Sequence, residues 1–237
     1  MIGAPDKSAG RIESMFDAIA GRYDLLNHVL SVGIDRSWRK RAIRALQLTG
    51  SERVLDLCTG TADLAIAARR AHPPAARVVG VDFSDAMLRV GHDKLTRARL
   101  DPAIALVRGD AMSLPVATRS VNGVTIAFGI RNVEQPDIAC REMHRVLRPG
   151  GRLAILEFAI PTSPLIRAGY LAYFRFVLPR IGRLVSRHNA AYEYLPASVA
   201  AFETPDQLVK ILRQSGFTDI RAVPLTLGVV YLYTARS

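Results

Sequence analysis

Cysteine is scarce in this chain. Cys58 and Cys140 are the only two among 237 residues, far apart and without C-x-x-C spacing, which excludes a disulfide framework and a zinc ribbon. The five histidines (His28, His72, His92, His144, His188) show no metal-ligand spacing, so no metal is expected. No uncharged run is long enough to span a bilayer, and the opening residues lack the apolar stretch of a signal peptide. These two absences predict a soluble or peripheral protein, not an integral one, and the sparse cysteines predict a cytoplasmic one. Internal repeats and low-complexity tracts are missing. Acidic residues are in deficit, 21 against 32 Lys and Arg, for a net charge of +11. Such a balance favours polyanions or an anionic membrane surface, or it is a set of scattered arginines that solvate the exterior. With no lysine-rich run, no Gly-flanked aromatic set and no densely basic helix face, nucleic acid is not an expected partner.

What is present is a hydrophobic fraction of 49%, ample for a buried core. Its periodicity alternates. Two or three helices are expected within 11–47, followed by strand Val54–Leu57, helix Leu64–Arg70, strand Val78–Val81 and helix Asp85–Ala98 capped by Ser84. Strands are then expected at Ile104–Arg108, Val121–Phe128 and Arg152–Phe158. Helix Ile138–Leu147 stops at Pro149-Gly150-Gly151. A final helix opens on the capping pattern Thr204-Pro205-Asp206-Gln207, and apolar segments near Ile220–Val223 and Val229–Tyr233 suggest a closing hairpin. Alternation of this kind implies a mainly parallel sheet with right-handed crossovers.

The stretch VLDLCTGTAD, Val54 to Asp63, is the first strand–turn–helix unit of a doubly wound sheet. It carries one acid, Asp56, in the strand and another, Asp63, just inside the helix, where it stabilises the N-terminus. A second strand ends in Asp82 about 20 positions after the turn, where such folds bind a ribose. The dinucleotide pattern G-x-G-x-x-G is absent, since only Gly60 is there. Acidic strand ends with a single glycine turn suit a nucleoside cofactor without a pyrophosphate, and S-adenosylmethionine meets that description. Asp82 can accept from both ribose hydroxyls, Asp110 from an adenine amine, and the Gly60 turn lets backbone approach the amino-acid part.

Segment 159–203 breaks the alternation. It is rich in Leu, Tyr and Phe and interrupted by Pro164, Pro179 and Pro196. After Pro179, Arg180, Arg183 and Arg187 share one helical face. The segment reads as a helical lid, either packed plainly on the domain or covering an apolar substrate with its basic face toward lipid headgroups.

Three blocks are more specific: Met15-Phe16-Asp17 through Arg22-Tyr23-Asp24-Leu25-Leu26-Asn27 with Gly33-Ile34-Asp35-Arg36 and Trp38-Arg39; Phe128-Gly129-Ile130-Arg131-Asn132-Val133; and Arg145 to Leu153 ending in Leu156-Glu157-Phe158. On these the whole chain resembles the ubiquinone/menaquinone-biosynthesis C-methyltransferases, the demethylmenaquinone methyltransferase family of class I methyltransferases. The resemblance implies one Rossmann-like domain over 1–237: a mainly parallel seven-stranded sheet with helices on both faces, an N-terminal helical cap at 11–47 and the lid insertion at 159–203. It implies C-methylation of a polyprenylated quinol with S-adenosylmethionine, contacted at Thr61, Asp82, Asp110 and Ala111; Asp56 and Gly60 of the first strand and turn complete the expected cofactor-binding set. The implied enzyme works in the cytoplasm against the inner face of the cell membrane, and a homodimer is compatible with it. The family's turn usually reads A-G-G-T-G-D, so Thr59 and Ala62 are departures expected to narrow the space beside the methionine moiety. Ala127 stands where the family usually has a serine.

Carbon methylation needs a carbon nucleophile, so the substrate should be the reduced quinol. Loss of one phenolic proton, from a group with a pKa of about 10, pushes electron density onto the adjacent ring carbon. Arg131 is the expected phenolate partner, because a permanently charged guanidinium stabilises charge and is a poor base; the alternative is a structural clamp on its loop. Asn132 would orient the second hydroxyl and Tyr23 relay a proton. His28 is either a base or structural. Methylation of RNA or of another small molecule shares the cofactor blocks but has no need of the Phe128–Val133 block with an apolar lid.

Overall fold

The apolar runs, cut by turns, form seven strands in the computed structural model, which describes residues 6–177 and 190–237. They are β1 (Arg53–Leu57), β2 (Arg77–Asp82), β3 (Ile104–Arg108), β4 (Val121–Ala127), β5 (Leu147–Phe158), β6 (Thr218–Leu225) and β7 (Val230–Arg236). One sheet takes them in the order β3-β2-β1-β4-β5-β7-β6. The first five pair in parallel, and β7 enters antiparallel between β5 and β6. This is the expected mainly parallel, seven-stranded sheet with its closing hairpin. The chain moves outward from β1 in both directions, and the crevice at that reversal, beyond the strands' carboxyl ends, is where such sheets take ligands.

Helices cover both faces. Val54 and the pair Leu55 and Leu57 are almost fully buried and belong to opposite sides, as the two-residue strand period requires. On one side Leu55 and Leu57 pack with Met143 of α6 (Pro136–Val146) and with Leu208 and Leu212 of α9 (Pro205–Gln214). On the other, Val54 packs with Trp38 and Ile43 of α3 (Asp35–Ala45) and with Ala65 and Ala68 of α4 (Asp63–Arg69). Burying each such leucine or isoleucine contributes about 1.5–3 kcal/mol.

Helix ends follow local chemistry. The Ser84 hydroxyl accepts from the Met87 amide and opens α5 (Asp85–Ala98) as expected. Thr204 and Gln207 form the expected capping box on α9. Two boundaries differ. Helix α6 starts two residues earlier than expected because Pro136 suits the first turn, where no amide hydrogen is needed. Strand β5 starts at Leu147 instead of Arg152: Leu147 pairs with Val121, and the chain then bulges through Pro149-Gly150-Gly151 before Arg152 pairs with Gly123.

The N-terminal segment gives α1 (Ala9–Ile19), a short 3-10 turn at Ala20–Arg22, α2 (Tyr23–Leu30) and α3. Ion pairs fasten these helices to the sheet domain. Lys94 of α5 binds Asp24 at 2.7 Å and also Asp63; Arg39 binds Asp35 and, at 3.2 Å, Asp63. Burial would raise the Asp35 carboxyl, but the Arg39 guanidinium, Ser31 and His28 together hold it below its ordinary value. Within 159–203 the described parts are α7 (Pro164–Ala172), a π turn at Tyr173–Val177, and α8 (Ala190–Ala201), which contains Pro196. Arg180, Arg183 and Arg187, expected to share the basic helical face, lie outside the described residues.

Candidate active site

Two hollows meet at the carboxyl edge of the sheet. The first is a cleft of about 810 Å³, measured out to its open mouth. Its floor is the turn after β1, where Cys58, Gly60 and Ala62 all take positive φ (50°, 55° and 67°). Left-handed backbone at a residue with a side chain costs about 1–2 kcal/mol, so Cys58 and Ala62 store strain here. The turn is pinned from beneath. Thr59 donates to Asp56 at 2.6 Å, and Thr125 donates to the other Asp56 oxygen at 2.7 Å. Thr59 fits because residue 80 on β2 is glycine, where a Cβ would lie 2.8 Å from the Thr59 hydroxyl. The Thr59 hydroxyl thus points down to Asp56 and the Ala62 methyl is fully buried. Neither lines the cleft, and Thr59 lines instead a small hollow under the turn.

Asp82, at the end of β2, reaches the cleft with its carboxylate already aimed. One oxygen accepts from the Gly60 amide at 2.8 Å and the other from the Ser84 amide at 2.9 Å. Burial raises its pKa against these hydrogen bonds and one more from the Phe83 amide. The carboxylate keeps acceptor capacity for a ligand hydroxyl. Asp110 and Ala111, after the neighbouring β3, line the same cleft, with Asp110 held by the Met112 amide at 2.8 Å. Apolar walls come from Ile12, Phe83, Met112 and Val133. Asp56 and Thr61 stand apart from it. Asp56 is 1% exposed and lines only a small hollow under the turn. The Thr61 hydroxyl turns into the Asp24–Lys94 network, donating to Asp24 at 2.5 Å.

The second hollow is larger and apolar, about 1400 Å³ to its mouth. It lies between α1, α2 and α3 on one side and α7, its π turn and α8 on the other. Met15, Leu26, Leu30, Trp38, Phe158 and Phe174 are among its walls. Phe16, Tyr23 and Phe128 line both hollows and so form the partition between them. Phe128 takes φ 59° and packs on Phe158 at 4.6 Å and Trp38 at 5.9 Å. Its loop can approach the β1 turn because the next residue is Gly129, where a Cβ would lie 2.4 Å from the Cys58 Cβ. Burial raises the Tyr23 phenol, which keeps it protonated at neutral pH.

Arg131 lines the apolar hollow but is heavily engaged. Its Nη1 donates to Glu157 at 2.8 Å and to the Phe128 carbonyl at 2.5 Å, and its guanidinium lies 5.5 Å from the Phe158 ring. Glu157 is fully buried. Asn132 faces the cofactor-side cleft, and its Oδ1 accepts from the Tyr194 hydroxyl at 3.1 Å. The expected trio thus gathers at the partition, with Asn132 on one side, Arg131 on the other and Tyr23 on both. His28 is not among them: it pairs with Asp35 at 3.0 Å and lines neither hollow.

Sequence reasoning missed Glu157, Tyr194 and the partition role of Phe128. Glu157 had a readable signal, a lone acid in the apolar run Leu153 to Phe158, which demands a buried cation. Among the described residues, no three His, Cys, Asp or Glu are grouped so as to hold a metal ion.

Residues 5–236 match the model of the ubiE/COQ5 methyltransferase family. The chain is 50% identical over 220 residues to the ubiquinone/menaquinone biosynthesis C-methyltransferase UbiE of Syntrophotalea carbinolica, covering 93% of this chain and 91% of that protein. It is 40% identical over 229 residues to the demethylmenaquinone methyltransferase of Bacteroides fragilis, covering 97% and 93%. The fold matches a S-adenosylmethionine-dependent methyltransferase from Aquifex aeolicus with a TM-score of 0.60 at 14% identity, covering 84% of this chain and 88% of that one.

Proposed function

The chain belongs to the ubiE/COQ5 methyltransferase family, and from that premise we propose that it methylates a ring carbon of a polyprenylated quinol. It is a S-adenosylmethionine-dependent C-methyltransferase of quinone biosynthesis. The observation that carries the substrate reading is the shared wall: a cleft with aimed carboxylates and a large apolar cavity meet at Phe16, Tyr23 and Phe128. One side suits a nucleoside and the other a greasy ring and its tail.

The residues present fit S-adenosylmethionine. Asp82 would take the ribose hydroxyls, Asp110 the adenine amine, and the Gly60 backbone the amino-acid end, with Ala111 against the base. When bound, S-adenosylmethionine supplies an electrophilic methyl. Asp56 and Thr61 serve it indirectly, by holding the turn and by tying that turn to α2 and α5.

On the other side the protein must stabilise a phenolate and hold the ring still. Arg131 supplies a fixed positive charge facing the cavity, oriented by Glu157. Tyr23 enters as a neutral hydroxyl, a donor or relay and not a base, because burial disfavours its anion. Asn132 is aligned by Tyr194 and stands beside the site where ring and methyl meet.

The described part of segment 159–203, α7, its π turn and α8, would act as a lid on this cavity, and the cavity's exposed rim would meet lipid. Val32 and Ile34 line the apolar cavity and stay exposed, and Leu227 is 73% exposed beside the lining residue Thr226. Among the described residues no helix is long and apolar enough to cross a membrane. A surface contact, helped by the +11 charge, would therefore collect a bilayer-borne quinol at the inner face of the cell membrane. Incubation with labelled cofactor and reduced demethylmenaquinol, methoxy-polyprenyl-benzoquinol or transfer RNA tests the reading. Label should pass to a quinol; transfer to RNA alone would overturn it.

A further inference from the structure

The apolar cavity contains few polar groups, and nearly all of them have partners. Tyr173 donates to the Leu30 carbonyl at 3.0 Å and Tyr194 to Asn132. Thr226 accepts from Trp38 at 2.9 Å, Ser31 donates to Asp35, and Arg39 and Arg131 hold carboxylates. The Tyr23 hydroxyl meets Asn27. Tyr170 is the exception among the described lining residues. Its hydroxyl is shut off from solvent and has no hydrogen-bond partner.

Its position is not accidental slack in the packing. The Tyr170 ring sits edge-on to Phe174 at 4.4 Å, so the side chain is held. Tyr170 and Arg131 line the same cavity. A buried hydroxyl without a partner is costly, and the cost is relieved when a ligand brings an oxygen to it.

We propose that the Tyr170 hydroxyl is a substrate-binding group that donates a hydrogen bond to one ring oxygen of the quinol, while Arg131 faces the other. The proposal rests on the quinol reading above. Two para oxygens need two polar anchors, and among the described lining residues Tyr170 is the one whose hydroxyl is left without a partner to supply the second. Burial raises the Tyr170 phenol, so it stays a donor over the working pH range. Tyr170 would thereby select for a dioxygenated ring over a monophenol of the same size.

The test is Tyr170→Phe, which keeps the ring against Phe174 and removes only the oxygen. Trp38 is the chain's single tryptophan and lines this cavity, so its fluorescence reports occupancy directly. The probes are 1,4-naphthalenediol, kept reduced under anaerobic conditions, and 1-naphthol, which lacks one ring oxygen. The wild type should bind the diol roughly tenfold tighter than the naphthol, in line with one hydrogen bond to a buried donor. The variant should bind both at the wild type's naphthol affinity, with cofactor affinity unchanged and a thermal midpoint no lower than wild type. A variant that keeps the full preference for the diol overturns the proposal, and so does one that loses thermal stability, since that would make Tyr170 a packing residue. If the wild type binds neither compound and transfers no methyl to a quinol, the quinol reading itself fails and takes this proposal with it.

Discussion

Arg131→Ala is the obvious test of the phenolate partner, and taken alone it misleads. Glu157 is fully buried, and Arg131 is its ion-pair partner at 2.8 Å. Removing the guanidinium leaves an uncompensated carboxylate inside the sheet and frees the Phe128 carbonyl, which also accepts from Arg131. Breaking a buried pair in this way costs about 3–5 kcal/mol, a large part of the 5–15 kcal/mol that keeps a typical domain folded. Lost turnover would then report a broken loop as readily as lost chemistry. The pair Arg131→Met with Glu157→Gln separates the two. With both charges gone most of the stability should return, because an apolar or neutral replacement of a buried pair is often close to neutral. Urea unfolding gives the stabilities, calorimetry the cofactor affinity, and labelled methyl transfer the turnover. If Arg131 meets the phenolate, the refolded double variant should bind cofactor normally and still turn over roughly 10²–10³-fold slower, the usual loss for one preorganised electrostatic donor. Turnover that returns together with stability would make Arg131 a clamp and nothing more. A cost under about 1 kcal/mol for Arg131→Ala would refute the buried-pair reasoning itself.

The sheet was legible because parallel strands buried on both faces announce themselves as short apolar runs, separated by helical periodicity everywhere among the first five except between β3 and β4, where a loop intervenes. The capping signals at Ser84 and Thr204 set their helix starts to the residue. Boundaries failed where tertiary pairing overrode local pattern, as at Leu147, which reads as the end of a helix yet joins the edge of β4. Asp82 and the Gly60 turn were readable because backbone geometry at strand ends is set by nearby residues. Thr61 was not, because its partner Asp24 lies 37 positions away on a helix whose packing no local pattern reveals. Arg131 was legible as a residue but not in its engagement, since the decisive neighbour Glu157 sits on another strand. The partition is invisible in sequence for the same reason: Phe16, Tyr23 and Phe128 come together only through the docking of α1 and α2 over the β4 loop.

Further outcomes follow from the same geometry. Asp82→Ala should weaken cofactor binding by about 1.5–3 kcal/mol, the range for hydrogen bonds to a charged group, and calorimetry on the folded variant that finds equal affinity would remove Asp82 from the site. Gly129→Ala sets a methyl 2.4 Å from the Cys58 Cβ, so it should cost about 1–3 kcal/mol in urea unfolding; no loss would mean that the two loops part freely. Changing Arg180, Arg183 and Arg187 together to Gln should reduce binding to anionic vesicles at low salt while activity on a short-chain quinol survives, and unchanged vesicle binding would leave the segment only a lid. The last outcome concerns Asp56, whose burial lifts its pKa from 3.8 to about 6 against the hydrogen bonds from Thr59, Thr125 and the Ala65 amide. The folded state therefore holds a proton that the unfolded chain releases, so this group's contribution to stability is greatest below about pH 4, declines as pH rises toward 6, and remains a penalty above it. Ionising a carboxyl raised that far costs the folded state about 3 kcal/mol at pH 7.5. Asp56→Asn keeps the shape, accepts from Thr125 and can donate to a rotated Thr59 hydroxyl, but does not titrate. Its stability relative to wild type should rise by about 2–3 kcal/mol between about pH 4 and pH 7.5. The difference between the two proteins cancels every other titration, so a difference that stays flat across that range would show that Asp56 is ionised throughout and that the turn is held by a true carboxylate.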